Sequence, residues 1–139
     1  MIIVDASGLI LGRLASFVAK QALMGEQVHV VNCEKAVTSG NRKDVMQNYT
    51  GKLHIGQPIT GPFFYRRESM FVKRTIRGML PHKMPKGRAA FKNIRCHIGI
   101  PEDLRNKQFE TIEKAKVTKL QSLKYLPVSK ICRELRWKK

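Results

Sequence analysis

The order of apolar segments in the first 31 residues constrains the fold more than any other feature of this sequence. Residues 2–4 form a short continuous apolar run, which is typical of a strand covered on both faces, and Val28, Val30 and Val31 predict the next strand. The apolar residues between them fall on one helical stripe, namely Leu11, Leu14, Ala15, Val18 and Ala22. A strand, a helix and a strand with short links predict a βαβ unit with parallel strands and a right-handed crossover.

A helix and a long irregular segment are predicted after this unit. Residues 39–41 favour a helix start, and Gly51 is expected to end that helix. Residues 53–67 hold two glycines and two prolines, which predicts a loop, and loops of this length are often functional. Near its end, residues 63–65 are Phe-Phe-Tyr, followed by two arginines. These aromatic rings either stack on bases or pack the loop against the core, and we expect packing for at least two of the three.

The next pattern predicts two helices joined by a tight loop. Ser69 is a candidate cap for the first helix, whose apolar side extends to Met79 and Leu80. Gly78 within this helix predicts a close backbone approach, either to a neighbouring element or to the ligand, because glycine costs about 1 kcal/mol relative to alanine in a helix interior. Pro85 favours the first turn of the second helix, which is predicted to end at residue 93.

The rest of the chain is predicted to hold one strand, an arm and a final helix. Alternation with polar residues predicts a strand over residues 94–100. Residues 101–126 have only weak periodicity and are interpreted as an extended, loosely structured arm. A last helix over residues 127–136 is predicted from the helical spacing of Val128, Ile131, Cys132 and Leu135. Trp137 is expected to anchor this helix, which leaves Lys138 and Lys139 in solvent.

The charge balance indicates what the chain binds. Twenty-seven Lys and Arg face ten Asp and Glu, and the net charge of +17 favours a polyanionic partner. The length and an apolar content of 42% suit one globular domain with an ordinary core. No apolar run approaches the roughly 20 residues that cross a bilayer. Because the N-terminus also lacks a signal-peptide pattern, we expect a cytoplasmic protein.

The positive charge is concentrated around the predicted helix–loop–helix. Residues 66–95 hold ten Lys and Arg and a single acid, Glu68. We call residues 76–88, which contain five basic side chains and no acid, the basic joint. Two helices that hold a cationic loop form a plausible grip for phosphate, and the alternative is a solvated basic turn. We favour the grip, because the excess of positive charge extends well beyond the joint.

The candidate nucleic-acid-binding residues are the basic side chains of this region. They are Arg66, Arg67, Lys73, Arg74, Arg77, His82, Lys83, Lys86, Arg88 and Lys92. His82 is interpreted as a further donor to phosphate rather than as a general base. Arg42 and Lys43 are possible additional contacts, and they equally suit a solvated first turn of the helix that follows residues 39–41.

The residues of a catalytic or metal site are not recognisable in the sequence. Cys33, Cys96 and Cys132 are widely spaced, which favours free thiols in a reducing compartment over a zinc site or a disulfide. The turn from Gly8 to Arg13 follows a strand and opens a helix, but its glycines are one residue too close for a P-loop. We interpret it as a structural turn and expect no cofactor and no metal.

Several short motifs together identify a resemblance. They are residues 4–8 (VDASG), 11–15 (LGRLA), 31–35 (VNCEK), 77–81 (RGMLP) and 86–88 (KGR). In combination they resemble the universal large-subunit ribosomal protein 13 family. Residues 61–63 (GPF) and 136–138 (RWK) are similar to its archaeal and eukaryotic branch, and the length of the tail is similar to archaeal members.

The resemblance implies a three-layer α/β/α sandwich around a four-stranded parallel sheet of order 3-2-1-4, with a basic C-terminal arm. It implies that residues 1–100 form an α/β domain that binds ribosomal RNA and that residues 101–139 pack on it as an extension. The implied function is that of a non-catalytic constituent of the large ribosomal subunit that contacts its RNA and neighbouring proteins and supports assembly. The alternatives are an RNA-processing or modifying enzyme that uses the Gly8–Arg13 turn for a nucleotide, and a basic DNA-binding module. The DNA-binding motifs that would favour the latter are absent.

Overall fold

The computed structural model describes residues 1–57 and 59–137, and we number its regular elements in chain order. They are β1 (Ile2–Asp5), α1 (Leu11–Leu23), β2 (Val28–Val31), β3 (Val37–Ser39), α2 (Arg42–Leu53), α3 (Glu68–Met79), α4 (Pro85–Lys92), β4 (Ile94–Cys96), β5 (Tyr125–Pro127) and α5 (Val128–Trp137). The predicted βαβ unit is present, because β1 and β2 pair in parallel with Val4 opposite Val30. The five apolar residues of the predicted stripe on α1 are all buried, which confirms the helix and its orientation.

The central sheet has three parallel strands in the order β1-β2-β4, so the expected four-stranded sheet is not confirmed. At the open edge of β1, Val4 forms a single parallel bridge with Glu110. The Glu110 amide donates to the carbonyl of Ile3 at 2.8 Å, and its carbonyl accepts from the Asp5 amide at 3.1 Å. The fourth position therefore holds one bridged residue instead of a strand. A second, antiparallel pair joins β3 and β5 and was not predicted.

The two faces of the sheet are covered differently. Val4, Val28 and Val30 face the main core, which α1, α3, α4 and α5 complete. Ile3 and Val31 face the other way and pack against Leu104 and Phe109, near a short 3-10 turn at Glu102–Leu104. A second full helical layer is therefore not confirmed. The general α/β class is confirmed, with helices and a small parallel sheet around one main core.

Residues 101–126 are more ordered than the weak periodicity predicted. Ala115 is fully buried, and its carbonyl accepts a 2.7 Å hydrogen bond from the Ile10 amide at the start of α1. The amide of Val117 donates to the carbonyl of Gly8 at 2.9 Å. The prediction of a loosely structured arm was therefore wrong for this part of the chain. Its small and apolar side chains pack beside α1, but they are too widely spaced to produce a helical or strand period in the sequence.

The final helix is confirmed, but its end differs from the prediction. The four predicted apolar residues of α5 are all buried. Trp137 is 84% exposed and therefore does not anchor the helix to this chain, so that prediction was wrong. Lys138 and Lys139 lie outside the described residues, and their predicted solvent exposure stays a prediction.

Three local predictions were also wrong. α3 begins at Glu68 with Arg67 as its N-cap, so Ser69 lies inside the helix and does not cap it. β4 ends at Cys96, because Gly99 turns the chain with a φ of +66°, and Ile98 is exposed. α2 continues through Gly51 and ends two residues later, at Leu53.

Candidate nucleic-acid interface

The helices α3 and α4 hold the basic joint between them. α3 buries Phe71, Val72 and Ile76 on its inner side, and α1 is its main packing partner. Arg74 and Arg77 are exposed on its outer side, because residues three apart lie on the same side of a helix. The predicted helix, tight loop and helix are all present in this region.

The tight loop is held in place from both ends. Leu80 is buried in the core just after α3, and Pro85 starts α4, where its missing amide proton leaves no unmet donor. The amide of Met84 donates to the carbonyl of Pro81 at 2.9 Å and so closes the turn between the helices. The basic side chains of the loop are therefore carried on backbone with few alternative conformations.

Gly87 is the glycine that allows a close backbone approach in the basic joint. A Cβ atom there would overlap the carbonyl oxygen of Pro81 and lie 2.9 Å from the amide nitrogen of His82. At Gly78, by contrast, an added Cβ would meet no atom within 4 Å. The predicted approach of Gly78 to a neighbouring element was therefore wrong, because the sequence does not reveal which helical glycine faces another backbone segment, while its approach to a ligand stays a prediction.

Gly87→Ala is expected to lower the free energy of unfolding by about 1–3 kcal/mol, the usual cost of overpacking against atoms that cannot move freely. Gly78→Ala is the matched control, and we expect it to raise stability by about 0.5–1 kcal/mol, since alanine is the better helix former. Urea unfolding followed by circular dichroism measures both changes. A Gly87→Ala protein as stable as the Gly78→Ala protein would contradict the tight contact.

The structure leaves most of the candidate cations exposed. Lys73 and His82 are half-buried, whereas the exposed ones are Arg66, Arg67, Arg74, Arg77, Lys83, Lys86, Arg88 and Lys92. Arg88 donates to the carbonyl of Lys83 at 3.3 Å, which links α4 to the loop. The side chain of Arg77 has no hydrogen bond or ion pair with any of residues 1–57 and 59–137, so its guanidinium is available to a ligand.

The three cations of α3 gather at one small cavity. This cavity has a volume of about 160 Å³ and is lined by Tyr65, Met70, Lys73, Arg74, Arg77 and Phe91. Arg74 lies 4.8 Å from the ring centre of Phe64 and 5.8 Å from that of Tyr65, and it donates to the carbonyl of Phe63 at 3.2 Å. The Lys73 ammonium lies 4.9 Å from the ring centre of Phe91. Sequence reasoning did not identify this cavity, although the spacing of Met70, Arg74 and Arg77 along α3 already places them on one side.

The other candidates lie in different places. Lys86 borders a separate groove beside α1 with Ser16 and Met79, and Met79 is 42% exposed although it was predicted to face inward. Arg42 and Lys43 line an open cavity of about 760 Å³ on α2. Arg42 pairs there with Glu134 at 2.6 Å, so part of its charge is already neutralised within the chain.

The aromatic segment 63–65 divides between the core and the surface. Phe64 packs against Tyr49 and Phe71, with ring centres 5.9 Å from each. Phe63 is 69% exposed and Tyr65 is 45% exposed. The expectation that at least two of the three rings pack the loop against the core was therefore wrong, since only Phe64 does so.

The only acid of the basic region is turned away from the exposed cations. Glu68 is buried, and Arg136 of α5 donates to both of its carboxylate oxygens at 2.7 Å. Arg136 also donates to the carbonyl of Arg66 at 3.3 Å, which fixes the start of α3. One terminal nitrogen of Arg136 thus reaches both oxygens, and this charge-assisted contact neutralises the carboxylate. Sequence reasoning gave no role to Arg136, which keeps the outer surface of α3 free of negative charge.

Hydrogen bonds within the protein hold the Gly8–Arg13 turn and the end of the strand before it. The Asp5 carboxylate accepts hydrogen bonds from the Ser7 amide, the Ser7 hydroxyl and the Asn32 side chain. Burial opposes ionisation of Asp5, but these hydrogen bonds prevail, and its pKa is lowered. Arg13, which would face a bound phosphate, instead donates to the carbonyl of Lys114 at 3.0 Å. These contacts favour the structural turn over a nucleotide site.

The three cysteines are free thiols, and Cys33 and Cys132 are buried in poorly reactive surroundings. A hydrogen bond with Cys96 and burial raise the pKa of Cys33, and burial raises the pKa of Cys132 to about 12. A thiol with a raised pKa is a poor nucleophile and a poor metal ligand, because both roles require the thiolate. Within the described residues, no group of three His, Cys, Asp or Glu is placed to hold a metal ion. None of the described helices is both long and apolar enough to cross a membrane.

Comparison with known proteins gives a consistent result. Residues 1–103 match the model of the family described as ribosomal protein L13. The chain is 42% identical over 135 residues to the large ribosomal subunit protein uL13 of Methanococcoides burtonii, covering 97% of each chain. It is 43% identical over 134 residues to the protein of that name from Archaeoglobus fulgidus, covering 96% of this chain and 86% of the other.

Proposed function

The chain belongs to the ribosomal protein L13 family, in its archaeal type, and on that premise we propose that it binds large-subunit ribosomal RNA and supports assembly of the large subunit. The family is one of structural ribosomal proteins, so the chain is a structural component and not an enzyme. The enzyme alternative gains no support from the Gly8–Arg13 turn, because the Gly8 and Ile10 amides and the Arg13 side chain are engaged within the chain.

One observation carries the proposal, namely the excess of positive charge on the surface formed by α3, the loop and α4. Ten basic candidate side chains lie in residues 66–92, while the single carboxylate of that stretch is buried against Arg136. An exposed surface with this bias attracts polyanions, and each contacted phosphate releases counterions from the RNA. The rigid loop keeps the charges in place, which lowers the entropy lost when they bind.

The basic side chains have different roles in this proposal. Arg77 and Arg88 are exposed and hold phosphate, since a guanidinium can donate two parallel hydrogen bonds to it. Arg66, Arg67, Lys83, Lys86 and Lys92 extend the same contact, with His82 as a further donor. Lys43 is a possible additional contact on α2, whereas Arg42 must first leave Glu134.

The wider assignment follows from the same premise. Residues 1–100 carry the RNA contacts, and residues 101–139 form a basic extension that packs on them. Neighbouring large-subunit proteins are the further partners, and the exposed apolar side chains of Ile55 and Ile59 suit such contacts. The protein acts in the cytoplasm, where ribosomes are found.

Ultraviolet cross-linking in large subunits tests the proposal. We expect the tagged chain to sediment with large subunits and its peptides from residues 66–92 to carry cross-linked ribosomal RNA. Peptides from residues 102–109, which cover the opposite face of the sheet, serve as the internal comparison. Sedimentation of the chain as free protein, or cross-links confined to the opposite face, would contradict the proposal.

A further inference from the structure

We infer that the cavity between α3, α4 and Tyr65 receives one unstacked pyrimidine base of the bound RNA, with uracil preferred over cytosine. This inference rests on the proposed function, because it assigns a ligand to part of the same surface. It concerns base recognition, whereas the basic joint itself contacts the sugar–phosphate backbone.

The size of the cavity suits one six-membered ring. Its volume is about 160 Å³, and an engineered protein cavity of about 150 Å³ is known to hold one benzene molecule. A purine has a second fused ring and would protrude from a space of this size. The cavity therefore fits a pyrimidine better than a purine.

The walls suit a base better than a bare phosphate. Three of the six lining side chains are aromatic or apolar, namely Tyr65, Met70 and Phe91. A phosphate group gains no binding free energy from contact with apolar surfaces, whereas unstacked bases gain stability by packing on aromatic rings and on the planes of arginine side chains. A combination of aromatic and cationic side chains is typical of sites that bind single-stranded RNA.

The geometry around Arg74 indicates that the site is already formed before RNA binds. Its guanidinium is held by the carbonyl of Phe63 and lies over the rings of Phe64 and Tyr65. Phe64 is in turn packed against Phe71, which is almost fully buried. A binding group fixed by the core loses little side-chain entropy when a ligand arrives.

The polar groups of the cavity select the base. Lysine and arginine only donate hydrogen bonds, and the lining holds Lys73, Arg74 and Arg77 without any carboxylate. Uracil and cytosine each present two acceptors to such groups, but the cytosine amino group adds two N–H donors where uracil has only its single N3–H, so uracil leaves fewer donors unmet among these cations. Arg74 keeps further N–H groups beyond the one that the Phe63 carbonyl accepts, and these supply the donor for the base edge, while Arg77 contacts the adjoining phosphate.

The test uses the full-length protein and three eight-residue strands of equal charge: oligouridylate, oligocytidylate and an abasic strand. We expect the wild-type protein to bind oligouridylate roughly fivefold or more tightly than oligocytidylate, and the abasic strand more weakly than both. Tyr65→Ala should weaken oligouridylate binding by about tenfold, as loss of a stacking ring does. Phe63→Ala is the matched control, because Phe63 is an exposed ring in the same segment that does not line the cavity, and it should change little.

The outcomes separate this inference from the proposed function. Equal binding of the three strands, or equal losses for Tyr65→Ala and Phe63→Ala, would overturn the base site while salt-dependent binding to ribosomal RNA still supported the proposed function. Failure of the wild-type protein to bind any RNA would contradict both. Circular dichroism of each variant establishes that lost affinity is not lost folding.

Discussion

Val30→Asp is expected to unfold the protein or to lower its free energy of unfolding by several kcal/mol. Val30 has no exposed surface and lies in β2, the middle strand, where it pairs with Val4 on one side and Cys96 on the other. Burial of a valine side chain contributes about 1.5–3 kcal/mol, and that contribution is lost. The carboxylate that replaces it has no partner in this core, and a buried unpaired charge costs about 3–5 kcal/mol. Whole domains are stable by only about 5–15 kcal/mol, so the change removes a large fraction.

Gln27→Asp is the matched control, because Gln27 is exposed and lies immediately before the same strand. It introduces the same side chain and charge, and we expect its effect to stay within about 0.5 kcal/mol. Urea unfolding at neutral pH, followed by far-ultraviolet circular dichroism, compares the two proteins. If the Val30→Asp protein were as stable as the Gln27→Asp protein, β2 could not be the buried centre of the sheet.

The elements that the sequence predicted correctly are those in which the spacing of apolar side chains along the chain shows which residues are buried. The stripe on α1 and the apolar spacing of α5 each place buried residues at helical intervals, and the structure confirms both. The apolar run that became β1 indicated coverage on both faces, which the structure also shows, since Val4 lies in the main core and Ile3 packs on the other face. Such patterns need no knowledge of the rest of the chain, because periodicity and hydrophobicity act locally.

The elements that were missed depend on distant parts of the chain. Glu110 alone bridges the open edge of β1, and a single bridged residue produces no alternation of apolar and polar side chains that the sequence could reveal. The pairing of β3 with β5 joins segments nearly ninety residues apart, and only the complete fold brings them together. Trp137 shows a related limit, because an aromatic residue at the end of a helix does not reveal whether anything covers it.

The sequence predicted the positive charge of the candidate site but did not predict the contacts and the cavity that shape it. The excess of Lys and Arg over residues 66–95 is visible in the sequence, as are the two helices that carry it. The pairing of Glu68 with Arg136 was not visible, because 67 residues separate the two side chains. The cavity at Tyr65 required knowing that Phe64 turns inward while its neighbours stay exposed.

Changing Arg77 and Arg88 together to Gln is expected to weaken binding to large-subunit ribosomal RNA and to reduce its dependence on salt. Both side chains are exposed on the surface of the basic joint. Each phosphate contact contributes about 0.7–0.9 to the slope of log affinity against log salt, so losing two contacts lowers the slope by roughly 1.5. At moderate salt this corresponds to a loss of roughly tenfold or more in affinity. Glutamine keeps hydrogen-bonding capacity without the charge.

The matched control changes Arg95 and Arg105 to Gln, which removes the same charge from the opposite face of the sheet. Arg95 is exposed and follows the buried Ile94 in β4, so it points away from the main core. Arg105 is exposed and follows Leu104, which covers that far face. Generic attraction between RNA and a protein of net charge +17 would make the two double variants equally weak. If the RNA is bound through the basic joint, the Arg77/Arg88 variant loses more affinity than the Arg95/Arg105 variant.

The most direct measurement is therefore the dissociation constant for large-subunit ribosomal RNA at a series of salt concentrations, for the wild-type protein and both double variants. We predict that the Arg77/Arg88 variant has a slope flatter by roughly 1.5, while the Arg95/Arg105 variant keeps a slope close to that of the wild-type protein. Equal losses and equal slopes for the two variants would contradict the account, because the basic joint would then be only solvated charge.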